Sequence, residues 1–242
     1  MSAFFGDTIG IEFVPWGIYH FIPLVLVIIG VLVIFFLKDW IRESGYDKKI
    51  RYTLGTLGII TEVTLHIWII ANGNWTVKEN LPIGICAFSL YLGIFVMFTK
   101  NWKVFEIGYF WAIGGVLSVV FPDILFGPDR FRYYNFLFVH MIFFFMYMYM
   151  MFVHNYVPTF RSFKKSFLLL LTIVLFFVVP VNLIFNVNFL YLNWPGDTPF
   201  SLFESFSYPL YLTFCILLSM IGMVIWYSPV ALYNYLKKKN EQ

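Results

Sequence analysis

The sequence predicts an all-α polytopic membrane protein with seven transmembrane helices, its N-terminus outside and its C-terminus cytoplasmic. Three observations lead there. Of 242 residues, 61% are hydrophobic and only 12% charged, whereas soluble domains carry about 25% charged residues. The apolar residues fall in runs that match the roughly 20 residues a helix needs to cross a hydrocarbon core, and far exceed the roughly 9–11 of a barrel strand. The Lys and Arg residues between those runs alternate from one side to the other, as the positive-inside bias requires.

The runs predict spans at about 16–37, 53–72, 81–99, 104–122, 131–153, 167–187 and 208–232, all within one membrane domain, residues 1–242. The stretch before the first span carries Asp7 and Glu12 but no Lys or Arg. It therefore lacks the basic n-region of a signal peptide, and the first run is expected to remain as a span. Pro23, Pro82, Pro122, Pro180 and Pro209 lie within or at the ends of spans. Of these, Pro180 is the expected kink, because it removes a helix hydrogen bond in mid-run. Trp16, Trp40, Trp75, Trp102 and Trp194 sit near span ends as interfacial anchors. Gly114 and Gly115 in the fourth span permit close helix approach.

Of the 16 basic residues, thirteen fall in the first, third and fifth loops and the C-terminal tail, which includes Lys237, Lys238 and Lys239. The opposite side has three: Lys78, Arg130 and Arg132. The net charge of +3 is scattered among short loops and so implies no nucleic-acid partner. Cys86 and Cys215 both lie inside apolar runs, which gives neither a disulfide framework nor a zinc motif. No internal repeat of the kind that marks many transporters is present.

A titratable group at mid-bilayer costs at least about 2.5–3.5 kcal/mol, so each one present needs a reason. Glu62 lies near the middle of the second span, and His66 follows four residues later on the same helix face. Counted at ~1.5 Å per residue, His66, Cys86 and His140 lie about 9, 7 and 13 Å inside the outer ends of their spans. His20 in span one, Asp123 at the end of span four, Asn182 near the end of span six, and Arg130 and Arg132 at the start of span five lie toward the same side. A cysteine with histidines elsewhere in the chain is a candidate nucleophile, since an imidazole can take the thiol proton. The bland alternative is that the Glu62–His66 pair only fixes helix packing and the cysteines only fill space. Cys215 reads as packing and His154 as interfacial. The three histidines of this layer have no metal-ligand spacing, and no metal or other cofactor is implied.

In order along the chain, Tyr19-His20, Leu81-Pro82-Ile83-Gly84-Ile85-Cys86, Gly114-Gly115, Pro122-Asp123, His140 and Asn188-Phe189-Leu190-Tyr191-Leu192 with Pro195 resemble the YwaF-like bacterial integral membrane proteins. That family is similar to the eukaryotic transmembrane protein 164 acyltransferases. The resemblance implies a cell-membrane, multi-pass protein that moves fatty acyl groups between lipids through a cysteine and a histidine, here Cys86 and His140. The expected partners are then membrane lipids, with a phospholipid or lyso-lipid as substrate. At Gly84 the family usually has a histidine; His66, at matching depth, is the imidazole available to stand in for it.

The leading expectation is a membrane-embedded lipid acyltransferase or acyl hydrolase. Cys86, His140, His66 and Glu62 would be its catalytic groups, and His20, Asp123, Arg130, Arg132 and Asn182 would bind substrate. The alternatives are a carrier for a small solute, lipid or proton lined by Glu62 and the histidines, and a structural membrane subunit in which the polar layer is helix glue.

Overall fold

A computed structural model describes residues 3–195 and 199–240. Among them there is no strand, only an isolated antiparallel bridge between Glu12 and Phe126. Seven helices carry the fold: α1 (Ile18–Ser44), α2 (Asp47–Ala71), α3 (Ile85–Thr99), α4 (Trp102–Val120), α5 (Phe131–Val153), α6 (Phe160–Phe185) and α7 (Tyr208–Asn240). Six of them, all but α3, are long and apolar enough to cross a membrane.

α3 departs from the expected span at 81–99. It has 15 residues, about 22 Å of helix against the roughly 30 Å of a hydrocarbon core. The reason is Pro82, whose ring pushes the preceding residue out of the helical region. Leu81 is accordingly extended (φ −64°, ψ 133°) and Gly84 is extended again (φ −74°, ψ 151°), so the helix begins only at Ile85.

The first basic loop also differs from expectation. α1 runs on to Ser44 and α2 starts at Asp47, so Lys38, Arg42, Lys48, Lys49 and Arg51 all stand on helix ends. The connection turns sharply because Gly45 takes a left-handed conformation (φ 73°) that a glycine adopts without a Cβ clash. Lys237, Lys238 and Lys239 similarly belong to the last turns of α7, and the side chains of Lys237 and Lys238 lie outside the described set. In α6 the irregularity expected at Pro180 takes the form of a π turn over Val174–Val178, where the backbone accommodates the missing proline donor.

α5 is the central helix. In its most apolar stretch 72% of residues are buried, against 11% in α1 and in α7. Its sequence explains this, for Phe, Met and Tyr occupy every face, and a helix apolar all round belongs in the interior. α1, α2, α3 and the second half of α4 surround it, α6 packs on the first half of α4, and α7 lies against α6 and α4. The core is accordingly aromatic and Met-rich: Phe105, Tyr109, Phe143, Met146, Tyr147 and Met150 are all at most 2% exposed. In lipid such packing, rather than exclusion of water, holds helices together.

We call the end where α1 begins the upper end. There the N-terminal segment is laced to the α4–α5 loop by Phe13 N–H to the Leu125 carbonyl (3.0 Å) and Gly127 N–H to the Ile11 carbonyl (2.8 Å). At the lower end Asp47 accepts from Arg51 (3.0 Å) and Tyr149 (2.8 Å) and meets the His154 ring at 2.7 Å. Arg42 donates to the Phe152 and Val153 carbonyls at the end of α5. Buried Glu106 holds Ser162 (2.8 Å) and Lys165 at the start of α6. The buried charges at this end, Arg51 and Glu106, are therefore paired and structural, because a buried unpaired ion would be costly.

Candidate functional site

Cys86 occupies the first turn of α3, after the extended Gly84 and the first helical residue, Ile85. The sulfur lies 3.9 Å from the Ser118 hydroxyl of α4. His140 is buried near the middle of α5, between the rings of Phe136 (4.4 Å) and Phe143 (5.6 Å). Its Nδ1 contacts the Phe136 carbonyl at 2.6 Å. A carbonyl can only accept, so Nδ1 carries the proton and Nε2 keeps its lone pair, the form a general base requires.

The two glycines of α4 separate these groups. A Cβ at Gly114 would stand 3.5 Å from the Cys86 sulfur, and one at Gly115 would press to 2.7 Å from the His140 carbonyl oxygen and the Phe143 ring. Cys86 and the His140 backbone thus flank the Gly114-Gly115 pair, and the missing side chains let α3 and α5 close on α4 from either side. Beside Gly114, an apolar cavity of about 340 Å³ opens between α4, α6, α7 and the segment 190–192.

A polar layer covers the same end. Glu62 accepts a 2.5 Å hydrogen bond from Tyr91 of α3 and lies 3.5 Å from His66 Nε2. The Trp75 indole donates to His66 Nδ1 (3.2 Å), which leaves the His66 proton on Nε2, facing Glu62. Arg132, Phe136 and His140 form one stripe of α5 at four-residue spacing, with the guanidinium 5.5 Å from the Phe136 ring centre. Arg132 feels the charges of Asp123 and Glu62 and projects its own onto His140. Among the described residues it has neither a hydrogen bond nor an ion pair. Asp123 instead accepts from Tyr191. Burial, then that hydrogen bond and the carboxylate charge, push the Tyr191 hydroxyl up to about 12, so the phenol keeps its proton and holds the 190–192 segment over the site.

Three of the expected binding residues have other partners. His20 receives the Trp16 N–H on Nδ1 (2.9 Å) and donates from Nε2 to the Val119 carbonyl (2.9 Å), tying the start of α1 to α4. Arg130 pairs with Asp129 (2.6 Å) and donates to the Thr8 carbonyl (2.9 Å). Asn182 closes a two-way bond with the backbone of Phe189, 2.9 Å in each direction. Both nitrogens of His20 and both ends of the Asn182 amide are thereby occupied.

The family profile of the TMEM164 family matches residues 15–227, which is most of the chain. The chain belongs to the TMEM164 family. No curated protein and no solved structure matches it. In this TMEM164 family member, Tyr91 and Ser118 are residues around the candidate site that sequence reasoning passed over, while Trp75 was read only as an interfacial anchor and Tyr191 only as part of a motif. Each is an amphipathic or hydroxyl side chain in or beside an apolar run, a signal too common to single out before its partner is visible.

Proposed function

We propose that this TMEM164-family protein is a membrane-embedded lipid acyltransferase or acyl hydrolase, with Cys86 as nucleophile and His140 as general base. The observation that carries this reading is the placement of Cys86 and His140 on the two flanks of Gly114-Gly115, beside an apolar cavity. In the first half-reaction His140 Nε2 takes the Cys86 proton and the thiolate attacks the ester carbonyl of a phospholipid. The ester C–O bond breaks, the departing lyso-lipid oxygen takes the proton back from His140, and a thioester remains on Cys86. In the second, a lyso-lipid hydroxyl or a water gives its proton to His140 and attacks the thioester, and the thiolate leaves.

Arg132 binds the lipid phosphate in this scheme, because its planar donor fork has no hydrogen-bond or ion-pair partner among the described residues and matches phosphate geometry. Arg130 holds the N-terminal segment. Glu62, bonded by Tyr91 and facing His66, orients that imidazole beside the headgroup. We further propose seven spans in the cell membrane, with α3 as the short one, the upper end outside and the lower, basic end cytoplasmic, which puts the reaction in the outer leaflet. The Tyr91–Glu62–His66 chain also supports a second reading, a proton path, in which Cys86 has no part.

The test is acyl redistribution in liposomes holding a defined phospholipid and a lyso-lipid, followed by mass spectrometry. Wild type is expected to redistribute or release the acyl group, and Cys86→Ser to fall to background while retaining its helical content and elution volume. Undiminished turnover in Cys86→Ser removes the mechanism.

A further inference from the structure

We infer that the cavity beside Gly114 is the acyl-chain channel of the site, and that Gly222 sets the length of chain it accepts. The inference rests on the Cys86 reading for where the chain is attached, and on independent features of the cavity for where the chain goes.

Cys86 is not itself in the cavity wall, but the residues that border it are. Ile85 and Gly114 both line the cavity, and Gly114 is the residue whose Cβ would be in van der Waals contact with the sulfur at 3.5 Å. From there it runs along α7, from Tyr211 near the upper end to Met223, about 18 Å at a helical rise of ~1.5 Å per residue. That is the reach of a long extended acyl chain. Its wall carries no charged residue. The Tyr211 hydroxyl is turned to the Tyr191 carbonyl (2.7 Å), the Ser219 hydroxyl to the Ile216 carbonyl (2.8 Å) and the Tyr191 hydroxyl to Asp123, while the Trp111 indole nitrogen, without a partner among the described residues, is itself buried. The channel therefore presents its occupant with carbon and suits a methylene chain rather than a polar solute.

The far end is formed by the one glycine of α7. A Cβ at Gly222 would meet nothing within 4 Å, so the glycine is not needed for helix contact. Its lack of a side chain leaves open the part of the cavity that the last carbons of the chain would enter. The carboxyl carbon thus sits at Cys86, with the chain descending along α4 and α7 and its methyl end beside Gly222 and Met223.

Two measurements on the full-length protein in nanodiscs test this. Thioester formation at Cys86 is measured by intact mass and site mapping with octanoyl, lauroyl and palmitoyl donors, for wild type and Gly222→Trp. Wild type is expected to accept all three. Gly222→Trp is expected to keep octanoyl acylation within about twofold and to lose palmitoyl acylation by about tenfold or more, the effect of excluding roughly two methylenes from burial. An unchanged chain-length profile in Gly222→Trp overturns the channel and leaves the Cys86 reading standing. The second measurement needs no chemistry at Cys86: wild type is irradiated with palmitate bearing a terminal diazirine. Adducts at Met223 and the neighbouring cavity wall support the channel, and adducts confined to the outward face of α1 or α7 overturn it. If no donor acylates Cys86 while the adducts still map to the cavity, the catalytic reading fails and the channel stands as a binding site.

Discussion

Adjacent glycines in α4 offer a matched pair of probes. Alanine at Gly115 would put its Cβ 2.7 Å from the His140 carbonyl oxygen and 2.7 Å from the Phe143 ring. Neither can retreat freely, since the oxygen belongs to the α5 backbone and Phe143 is fully buried. The helices must separate by several tenths of an ångström, and overpacking of this kind costs about 1–3 kcal/mol. Alanine at Gly114 meets the Cys86 sulfur at 3.5 Å and the Ile85 Cγ2 at 3.9 Å, both ordinary contacts, and gains up to about 1 kcal/mol of helix propensity. Reversible unfolding in bicelles is therefore expected to show Gly115→Ala destabilised by about 1–3 kcal/mol and Gly114→Ala neutral or slightly stabilised. Equal effects, or the reverse order, would mean that α4 does not pack on α5 through Gly115, and the placement of Cys86 and His140 on the two flanks of the glycine pair would lose its basis.

Two further predictions separate binding from architecture and address acid stability. Arg132→Gln is expected to raise the KM for phospholipid about tenfold, a loss of roughly 1.4 kcal/mol within the range of one charge-assisted contact, with unfolding unchanged. Arg130→Gln should leave KM alone and instead expose the N-terminal segment to proteolysis, because it breaks the bond to Thr8; the same assays on both variants decide. His154, just beyond α5, is lowered from the ordinary 6.5 by burial, with the Asp47 contact opposing. The folded state thus binds fewer protons there than the unfolded chain. Its contribution is fully present above pH ~6.5 and is lost as pH falls from there through the lower folded value. Unfolding free energy measured across that window should decline, and His154→Gln should flatten the decline; an identical slope in the variant would refute the assignment.

Much of this was legible in the sequence, for identifiable reasons. α5 occupies the span expected for it, 131–153, because a long apolar run bounded by Arg130 and His154 leaves little latitude. The polar ends of α1 and α2 were read as loop because charged residues also favour water, whereas Gly45 alone makes the turn. The third run gave its position but not its length, since Pro82 terminates helix locally inside an apolar stretch. The roles of individual polar residues were harder to read. His20 lies in the same upper region as Cys86, yet both its ring nitrogens are used by backbone across α1 and α4, and depth along a helix does not encode such cross-helix bonds. Arg130 and Arg132 are two residues apart and chemically identical. Only the loop that places Thr8 and Asp129 beside the first distinguishes them.

The most direct measurement is the mass of purified protein quenched in acid after brief exposure to a phospholipid donor. Wild type is predicted to carry one acyl group on a hydroxylamine-labile thioester that maps to Cys86, and His140→Ala to form it at least about a hundredfold more slowly, as loss of a general base implies. An acyl adduct absent from Cys86, or one that forms equally fast without His140, would contradict the account.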